Sequence, residues 1–568
     1  MFEVLQAANL GSLFTSSGPL TPRSKPPCLL PSNTGENPGR SCPRAAFFCT
    51  YSTRLLHISR PIFYLSSRTV LQGGVGRLMF VRPIGRLLAS AALRYTLLTG
   101  PRSALFQEIA FMMRLFRGSF MILALAFIIL PVVAQQSATP MRELSWDTYV
   151  DKVQGAWAGK MIGVTFGAPW EFQYQGTPIG FDITDWPLSP TRMKDYRAQT
   201  DNRDKDDMPP VISEADSRKV RINYEFVEDS EKEHPSFGCP DNDDLYINML
   251  FLYCLRRYGI DVDPVTVAHE WDAKIRQVWH ANDAGLSNIR KGVLPPLSGN
   301  PRYNLHADDI DFQIESDVFG MISPGLPQVS NKFDDRMGHI MNYGDGVYGG
   351  MFISAMYTQA FFAKNVREVV ENSLNAIPPQ SLYAQLIRDV IRWHDENPND
   401  WLATWHLVQK KWGEVDHCPD GYQKPFNIDA KLNGGYVVMG LLYGNGDFYK
   451  TMNFATRCGQ DADCNPANAA GILGTLLGFK GIPAEYRDPL HNTYWNKTLA
   501  GLPNAYEIDA LSRDTALVGL DVILANGGEA VSRNGKLVLR IPAQEPIPPA
   551  KLEQIRWNAD KPVLDDQK

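Results

Sequence analysis

Apolar residues recur every three or four positions over most of the chain beyond residue 140, in segments separated by polar stretches that contain Pro and Gly. This spacing is typical of amphipathic or buried helices. It predicts helices over residues 146–164, 243–257, 346–364, 379–394, 433–443 and 466–478. The stretches at 172–240 and 292–311 predict loops. The chain is therefore expected to be all-α, with a compact multi-helix body.

The end of the chain follows a different pattern. Ala516–Ala525 and Lys536–Ile541 are rich in apolar and β-branched residues, and Gly527 and Gly528 lie between them. This arrangement predicts two strands around a turn. We therefore expect a main domain over residues 136–510 and a small C-terminal β appendage over residues 511–568.

Residues 112–135 have the layout of a secretory signal peptide. Arg114 and Arg117 precede an apolar run that ends in Val-Val-Ala. The run is shorter than the roughly 20 residues of a membrane-spanning helix, which favours cleavage over an uncleaved anchor. The sequence therefore predicts a secreted or periplasmic protein. The protein would be attached to a membrane only if this segment were not cleaved.

The 111 residues before that segment hold 12 Lys and Arg against 3 Asp and Glu. Two explanations stay open. Translation was assigned from a start upstream of the native one at Met112 or Met113, or the stretch is an organellar transit peptide, whose composition is also rich in Arg and Ser and poor in acids.

The charge and the motifs of the chain after residue 135 exclude several classes of function. Acidic residues outnumber basic ones beyond the leader, which argues against a broad nucleic-acid surface and predicts no nucleic-acid partner. An odd number of cysteines follows the leader, without Cys-x-x-Cys spacing, so neither a zinc ribbon nor a redox motif is indicated. Serine-hydrolase, zincin and nucleotide-binding P-loop motifs are absent from the sequence.

The most specific motif is Gly-Gln-Asp-Ala-Asp-Cys-Asn-Pro at residues 459–466. Asp461 and Asp463 stand two residues apart, directly before a predicted helix, so an irregular segment can aim both carboxylates at one point. Oxygen-rich clusters of this kind suit Mg²⁺, Mn²⁺ or Ca²⁺. The alternative is that Asp463 or Asn465 only caps the helix.

A second acidic motif, Asp241-Asn242-Asp243-Asp244, stands at the start of the helix predicted over residues 243–257. Adjacent carboxylates repel each other unless a cation lies near them. They also stand where a helix dipole stabilises negative charge, which is the alternative explanation. Two such motifs, each opening an apolar helix, predict one shared cation site.

A third motif places Gly155, Gly159, Gly163 and Gly167 on one face of the first helix, which leads through a Pro-containing turn to Glu171. Such a stripe allows another backbone to approach closely. Glu171 is a candidate acid, base or substrate clamp, or alternatively a surface carboxylate.

Together these three motifs resemble the ADP-ribosylglycohydrolases, a family that includes the dinitrogenase reductase-activating glycohydrolase and the ADP-ribosyl-acceptor hydrolases. The resemblance covers about residues 146–500. It implies a compact all-α fold with two Mg²⁺ or Mn²⁺ ions that orient a ribofuranose and its attacking water. The implied metal ligands are Asn242, Asp243, Asp244, Asp461, Asp463 and Cys464, and the implied catalytic residues are Glu171, Asp244 and Asp461.

Two further polar segments are candidates for binding the substrate, expected to be a small-molecule or glycan furanoside. Glu315 and Asp317 lie in one of them, and Gly344, Asp345 and Gly346 form a Gly-rich turn in the other. Backbone N–H groups of such a turn can bind a sugar or phosphate, although a close turn before a helix explains the glycines equally well.

Three features depart from the family pattern. Asn242 and Cys464 replace the usual hydroxyl residues, and Lys160 stands where many members have an aspartate after the glycine. A thiol is a softer ligand than a hydroxyl and would change the preferred metal or weaken one site. Export of the body is also unusual. The sequence therefore predicts an exported metal-dependent glycohydrolase, with a non-catalytic, metal-stabilised sugar-binding or structural protein as the alternative.

Overall fold

A long helix, α1 (Trp146–Gly167), contributes a largely buried second half to the hydrophobic core in a computed structural model of the chain. The structure describes residues 140–171, 173–184, 186, 238–416, 425–558 and 561–563. The leader, the predicted signal peptide at 112–135 and most of the loop predicted over 172–240 lie outside these residues.

The described part of the chain is mainly helical, as expected for an all-α fold. The helices are α1, α2 (Asp243–Tyr258), α3 (Pro264–Lys274), α4 (His280–Arg290), α5 (Asp311–Glu315), α6 (Asp317–Met321), α7 (Pro327–Gly338), α8 (Asp345–Ala360), α9 (Val366–Ser373), α10 (Leu382–Glu396), α11 (Trp401–Val408), α12 (Ala430–Gly444), α13 (Phe448–Arg457), α14 (Cys464–Leu477), α15 (Ala484–Arg487) and α16 (Ile508–Ala525). All six helices predicted from the sequence are confirmed, with ends shifted by a few residues.

In the described residues, three small antiparallel sheets accompany the helices. The strands are β1 (Met141–Ser145), β2 (Thr493–Trp495), β3 (Ala505–Glu507), β4 (Glu529–Arg533), β5 (Lys536–Pro542), β6 (Arg556–Asn558) and β7 (Lys561–Val563). β5 pairs with both β1 and β4, β2 pairs with β3, and β6 pairs with β7. Within the described residues, no helix has the length and apolar character needed to cross a membrane.

The strand predicted over Ala516–Ala525 was wrong, because these residues form the second half of α16. The side chains of Leu511, Val518 and Val522 recur at helical spacing and are buried against the core. The hairpin instead joins β4 to β5 through Asn534 and Gly535, both with positive φ, as the turn of a two-residue hairpin requires.

The glycine stripe of α1 is where α14 packs. A Cβ atom added at Gly155, Gly159, Gly163 or Gly167 would lie only 2.1–2.2 Å from a backbone carbonyl oxygen of α14 or of the loop before it. The two backbones can approach this closely only because the residues between them lack side chains. The stripe therefore positions the loop that carries Asp461 and Asp463.

We expect Gly163→Ala to lower the free energy of unfolding by about 1–3 kcal/mol, because the added methyl group would clash with the Pro466 carbonyl and force the helices apart. Urea denaturation measures this change. Gly180→Ala is the matched control, since no atom of the described residues lies within 4 Å of its Cβ position. Equal stability of the two variants would contradict this packing.

Candidate metal centre

The first half of the candidate centre is the N-terminus of α2. Asn242 caps the helix, and its side-chain oxygen accepts a hydrogen bond from the Asp244 backbone N–H at 2.9 Å. Asp243 and Asp244 therefore occupy the first turn, where the unpaired helix N–H groups favour negative charge. Asp243 is half-buried, whereas Asp244 is completely buried.

The second half is the turn before α14. Gly459 and Gln460 both have positive φ, and the Gln460 N–H donates to the Tyr174 carbonyl oxygen at 2.8 Å. The Gln460 side chain also binds Pro425 and the Asn427 backbone N–H. These contacts fix a strained turn against its neighbours, and the turn directs Asp461 and Asp463 inward, where both are buried.

The fold brings the two halves together around Cys464. One ligand atom each from Asp243, Asp244 and Cys464 lies within 4.8 Å of the others, and the same is true of Asp461, Asp463 and Cys464. The Asn242 amide group donates to an Asp463 carboxylate oxygen at 3.3 Å. The two pairs of aspartates, which are separated by more than 200 residues in sequence, therefore lie in one cluster.

Burial and mutual repulsion raise the pKa values of three aspartates of this cluster. Burial, with the charges of Asp244 and Asp463, raises the pKa of Asp243 to about 8. Burial, with the charge of Asp244, raises the pKa of Asp463 to about 6, and the pKa of Asp461 is raised well above its ordinary value by burial and by Asp463. A cation in the cluster would compete with protons for these carboxylates.

The donor set fits a hard divalent cation. Among the described residues, the buried second carboxylate oxygen of Asp244 has no hydrogen-bond partner, which leaves it available as a ligand. The other donors are mostly carboxylate oxygens, which suit Mg²⁺ or Mn²⁺. Burial raises the pKa of the Cys464 thiol well above its ordinary value, which makes it the weakest candidate ligand because only the thiolate binds metals well.

Lys160 is a central residue whose role the sequence did not reveal. Its ammonium group is completely buried and lies 2.9 Å from Asp244 and 3.0 Å from Asp317. It also donates to the Ile314 carbonyl oxygen at 2.9 Å. Although burial opposes the charge, the two carboxylates raise the pKa of Lys160 above its ordinary value. Lys160 therefore fixes one oxygen of Asp244 and leaves the other for the cluster.

The two acidic residues predicted to bind substrate differ in their surroundings. Asp317 is fully buried beneath the cluster, where Lys160, Asn248 and Asn468 contact its oxygens. Glu315 is also buried, and one of its oxygens accepts a hydrogen bond from Asn282, while the other has no partner in the part of the chain that the structure describes. Burial and Asp311, with smaller effects of Asp243 and Asp244, raise the pKa of Glu315 well above its ordinary value.

The Gly-rich turn at residues 344–346 packs against other parts of the fold. The Asp345 side chain accepts from the Tyr383 backbone N–H at 3.2 Å, which places it at the start of α10. Gly344 has a φ of +57° and lies against residues 553–555, and a Cβ at Gly346 would clash with Asn342. These contacts account for the glycines as a close turn before α8. Binding of substrate by this turn stays a prediction.

Glu171 follows the turn Ala168–Trp170 and is half-buried. The turn starts beside the cluster, because a Cβ at Gly167 would lie 2.5 Å from the Asp463 Cα atom. The segment beyond it also reaches the cluster loop through the Gln460–Tyr174 hydrogen bond. The role of Glu171 as an acid or base stays a prediction.

Cation affinity should rise with pH. Asp243 and Asp463 must lose their protons to bind a cation, and their pKa values are raised to about 8 and about 6. We therefore expect Mn²⁺ to bind more tightly at pH 8 than at pH 5.5 and to release protons on binding. Calorimetry in buffers of different ionisation enthalpy counts these protons. A pH-independent affinity without proton release would contradict the expectation.

Comparison with known proteins agrees with the motifs. The family model of the ADP-ribosylglycohydrolases matches residues 145–516, a range that includes every residue of the cluster. No curated protein sequence matches the chain. A solved structure described as an ADP-ribosylglycohydrolase-related protein complex aligns with 66% of this chain and 99% of its own chain, at 13% identity and a TM-score of 0.39. The match to the family model spans well over half of the sequence, and the chain therefore belongs to the ADP-ribosylglycohydrolase family.

Proposed function

We propose that this protein is an exported, divalent-cation-dependent glycohydrolase that cleaves an N- or O-glycosidic bond of ADP-ribose or a related furanoside. The observation that carries this proposal is the convergence of Asp243, Asp244, Asp461 and Asp463 on one buried cluster. Membership of a family of glycohydrolases supports the reaction class.

The reaction adds water to the anomeric carbon of the furanose, and the bond to the aglycone breaks as that group takes up a proton. The four aspartates and Asn242 would hold two Mg²⁺ or Mn²⁺ ions. When bound, such ions lower the pKa of water and orient the hydroxyls of a sugar. Burial of Asp244, Asp461 and Asp463 limits their contact with bulk water, which strengthens the electrostatic contacts that they make.

Protons must also be transferred during this reaction. Glu171 is the proposed acid or base, because it is half-buried on a turn that starts beside Asp463. Asp244 and Asp461 are further catalytic candidates, since one buried oxygen of Asp244 has no hydrogen-bond partner among the described residues and Asp461 lies in the same cluster. Glycoside hydrolysis uses such carboxyl groups both to protonate the leaving group and to activate water.

Export rests on the signal-peptide pattern at residues 112–135. Cleavage after Ala134 would release a protein that begins near Gln135, ahead of β1. Protein sequencing of the N-terminus after expression in the native host tests this. A mature protein that begins near residue 135 and lies outside the cytoplasm is expected, and a protein that retains residues 1–111 would contradict it.

A panel of chromogenic glycosides tests the activity. The full chain should hydrolyse ribofuranosides or arabinofuranosides, or release ADP-ribose from modified peptides, in the presence of Mg²⁺ or Mn²⁺ and not with EDTA. The pyranosides of the same aglycone are the matched controls and should stay intact. Failure to cleave any of these furanosides or ADP-ribosylated peptides would contradict the proposal.

A non-catalytic role is the second candidate. It is favoured by Lys160, because this buried ammonium group occupies one oxygen of Asp244, and by the amide of Asn242 and the thiol of Cys464 at the edge of the cluster. Binding of a furanoside with a cation-dependent increase in melting temperature, without turnover, would support this candidate.

A further inference from the structure

A second group of metal-binding side chains lies outside the aspartate cluster. His280, His306 and Asp309 each offer one ligand atom within 4.8 Å of the other two. The His306 Nδ1 atom is 2.7 Å from an Asp309 carboxylate oxygen, and the His280 Nδ1 atom is 3.8 Å from the same oxygen. The fold therefore gathers two imidazoles from separate segments around one carboxylate.

Local backbone structure holds this group in place. His306 and Asp309 share a turn in which the Asp309 N–H donates to the His306 carbonyl oxygen at 3.0 Å, and the His306 N–H donates to the Asn304 side chain. His280 begins α4 with a φ of +42°. Residues other than glycine adopt this left-handed conformation at a cost, and such strain is concentrated at functional positions.

The three side chains of this group differ in burial. An accessible metal site needs some ligands that are exposed to solvent. The side chain of Asp309 is completely buried, whereas those of His280 and His306 are 26% and 30% exposed. An ion bound by these three side chains would therefore contact the buried carboxylate on its protein side. Solvent could reach the ion past the partly exposed imidazoles.

We propose that His280, His306 and Asp309 form a zinc-class transition-metal site, separate from the Mg²⁺ or Mn²⁺ site of the aspartate cluster. Zn²⁺ binds imidazole nitrogen and carboxylate oxygen at about 2.0–2.2 Å in tetrahedral geometry, which places ligand atoms about 3.3 Å apart. The distances from the two histidine Nδ1 atoms to the Asp309 oxygen, 2.7 and 3.8 Å, lie on either side of this value. Three protein ligands leave the fourth position for water or an oxygen of a ligand.

The chemistry of the donors separates the two sites. The aspartate cluster offers mainly oxygen, which suits hard cations, whereas two imidazoles select borderline ions such as Zn²⁺. The sites are close neighbours. The Phe426 ring lies 6.2 Å from the His280 ring and packs in the same small apolar cluster as Cys464, together with Ile310, Ile314 and Ile428.

Zinc titration of the untagged full chain, freed of metal with a chelator, tests the proposal without relying on turnover. Calorimetry should show one Zn²⁺ ion bound in addition to the hard-cation site, and Co²⁺ in its place should show the absorption of a tetrahedral complex. His306→Ala and Asp309→Asn should each weaken Zn²⁺ binding by at least about tenfold. His280→Asn should do the same, and asparagine tolerates a positive φ.

Three controls distinguish loss of this Zn²⁺ site from other causes of weaker Zn²⁺ binding. His269→Ala removes an exposed histidine on α3 and should leave Zn²⁺ binding unchanged. Asp461→Asn/Asp463→Asn should lose Mg²⁺ and Mn²⁺ but keep Zn²⁺. The histidine variants should keep the circular dichroism and the Mn²⁺ affinity of the wild type, which shows that they are folded. Unchanged Zn²⁺ affinity in His306→Ala and Asp309→Asn, or loss of Zn²⁺ in Cys464→Ser, would overturn the proposal.

Discussion

Replacing Asp461 and Asp463 together by asparagine is expected to lower kcat/KM for the best furanoside substrate by at least about 1,000-fold. Metal ions stabilise charge in the transition state by several kcal/mol, and each 1.4 kcal/mol corresponds to about a tenfold change in rate. Asparagine keeps the size of the side chains and, at position 463, the ability to cap α14. The measured quantities are kcat/KM and the Mn²⁺ affinity of the same preparation.

The variant should lose the cation without losing its fold. In EDTA, its melting temperature at pH 8 should equal or exceed that of the wild type, because two buried carboxylates that repel each other and Asp244 have been removed. Asp488→Asn, at an exposed aspartate, is the control and should keep both activity and affinity. A double variant that binds Mn²⁺ as tightly as the wild type would contradict the assignment of these ligands.

Replacing Lys160 by methionine is expected to have the largest effect on stability. The substitution keeps an unbranched side chain but leaves Asp244 and Asp317 buried without their ammonium partner. Removing one member of a buried ion pair costs about 3–5 kcal/mol, because an uncompensated charge stays in the interior. Urea denaturation in the absence of divalent cations should show this loss as a lower midpoint with an unchanged slope.

Two further variants show whether charge is the cause. Lys480→Met removes an 82% exposed lysine that lies 3.5 Å from Asp151, and it should change stability by less than about 1 kcal/mol. Lys160→Met/Asp317→Asn should recover part of the lost stability, since one of the two unpaired carboxylates is neutralised. If the double variant is no more stable than Lys160→Met, loss of packing rather than loss of charge explains the effect.

The spacing of apolar residues was sufficient to locate a helix wherever residues close in sequence determine the local structure. The periodicity of apolar residues located α1, α2, α8, α10, α12 and α14, because each buries an apolar face in the core. The same reasoning failed at Ala516–Ala525. There a run of apolar residues fits a strand as well as a buried helix, and only the core packed around it makes α16 a helix.

Some residues of the candidate site could be recognised from the sequence, and others only from the tertiary structure. Asp243, Asp244, Asp461 and Asp463 were recognised because each pair stands at the start of a helix, where two carboxylates so close in sequence repel each other unless a cation lies near them. Lys160 has no local signal as an ion-pair partner, since Asp244 and Asp317 lie 84 and 157 residues away in sequence. His280, His306 and Asp309 have no metal-binding spacing as a set, and only the packing of their segments brings them together.

The sequence by itself determined the helical fold class, the glycine stripe of α1 and the two aspartate pairs, because these depend on spacing within single segments. Only the tertiary structure decided which oxygens of the cluster are available, which carboxylates are paired with Lys160 and how strongly burial raises their pKa values. These properties depend on distances between segments and on exclusion of water, and both arise only when the segments pack together.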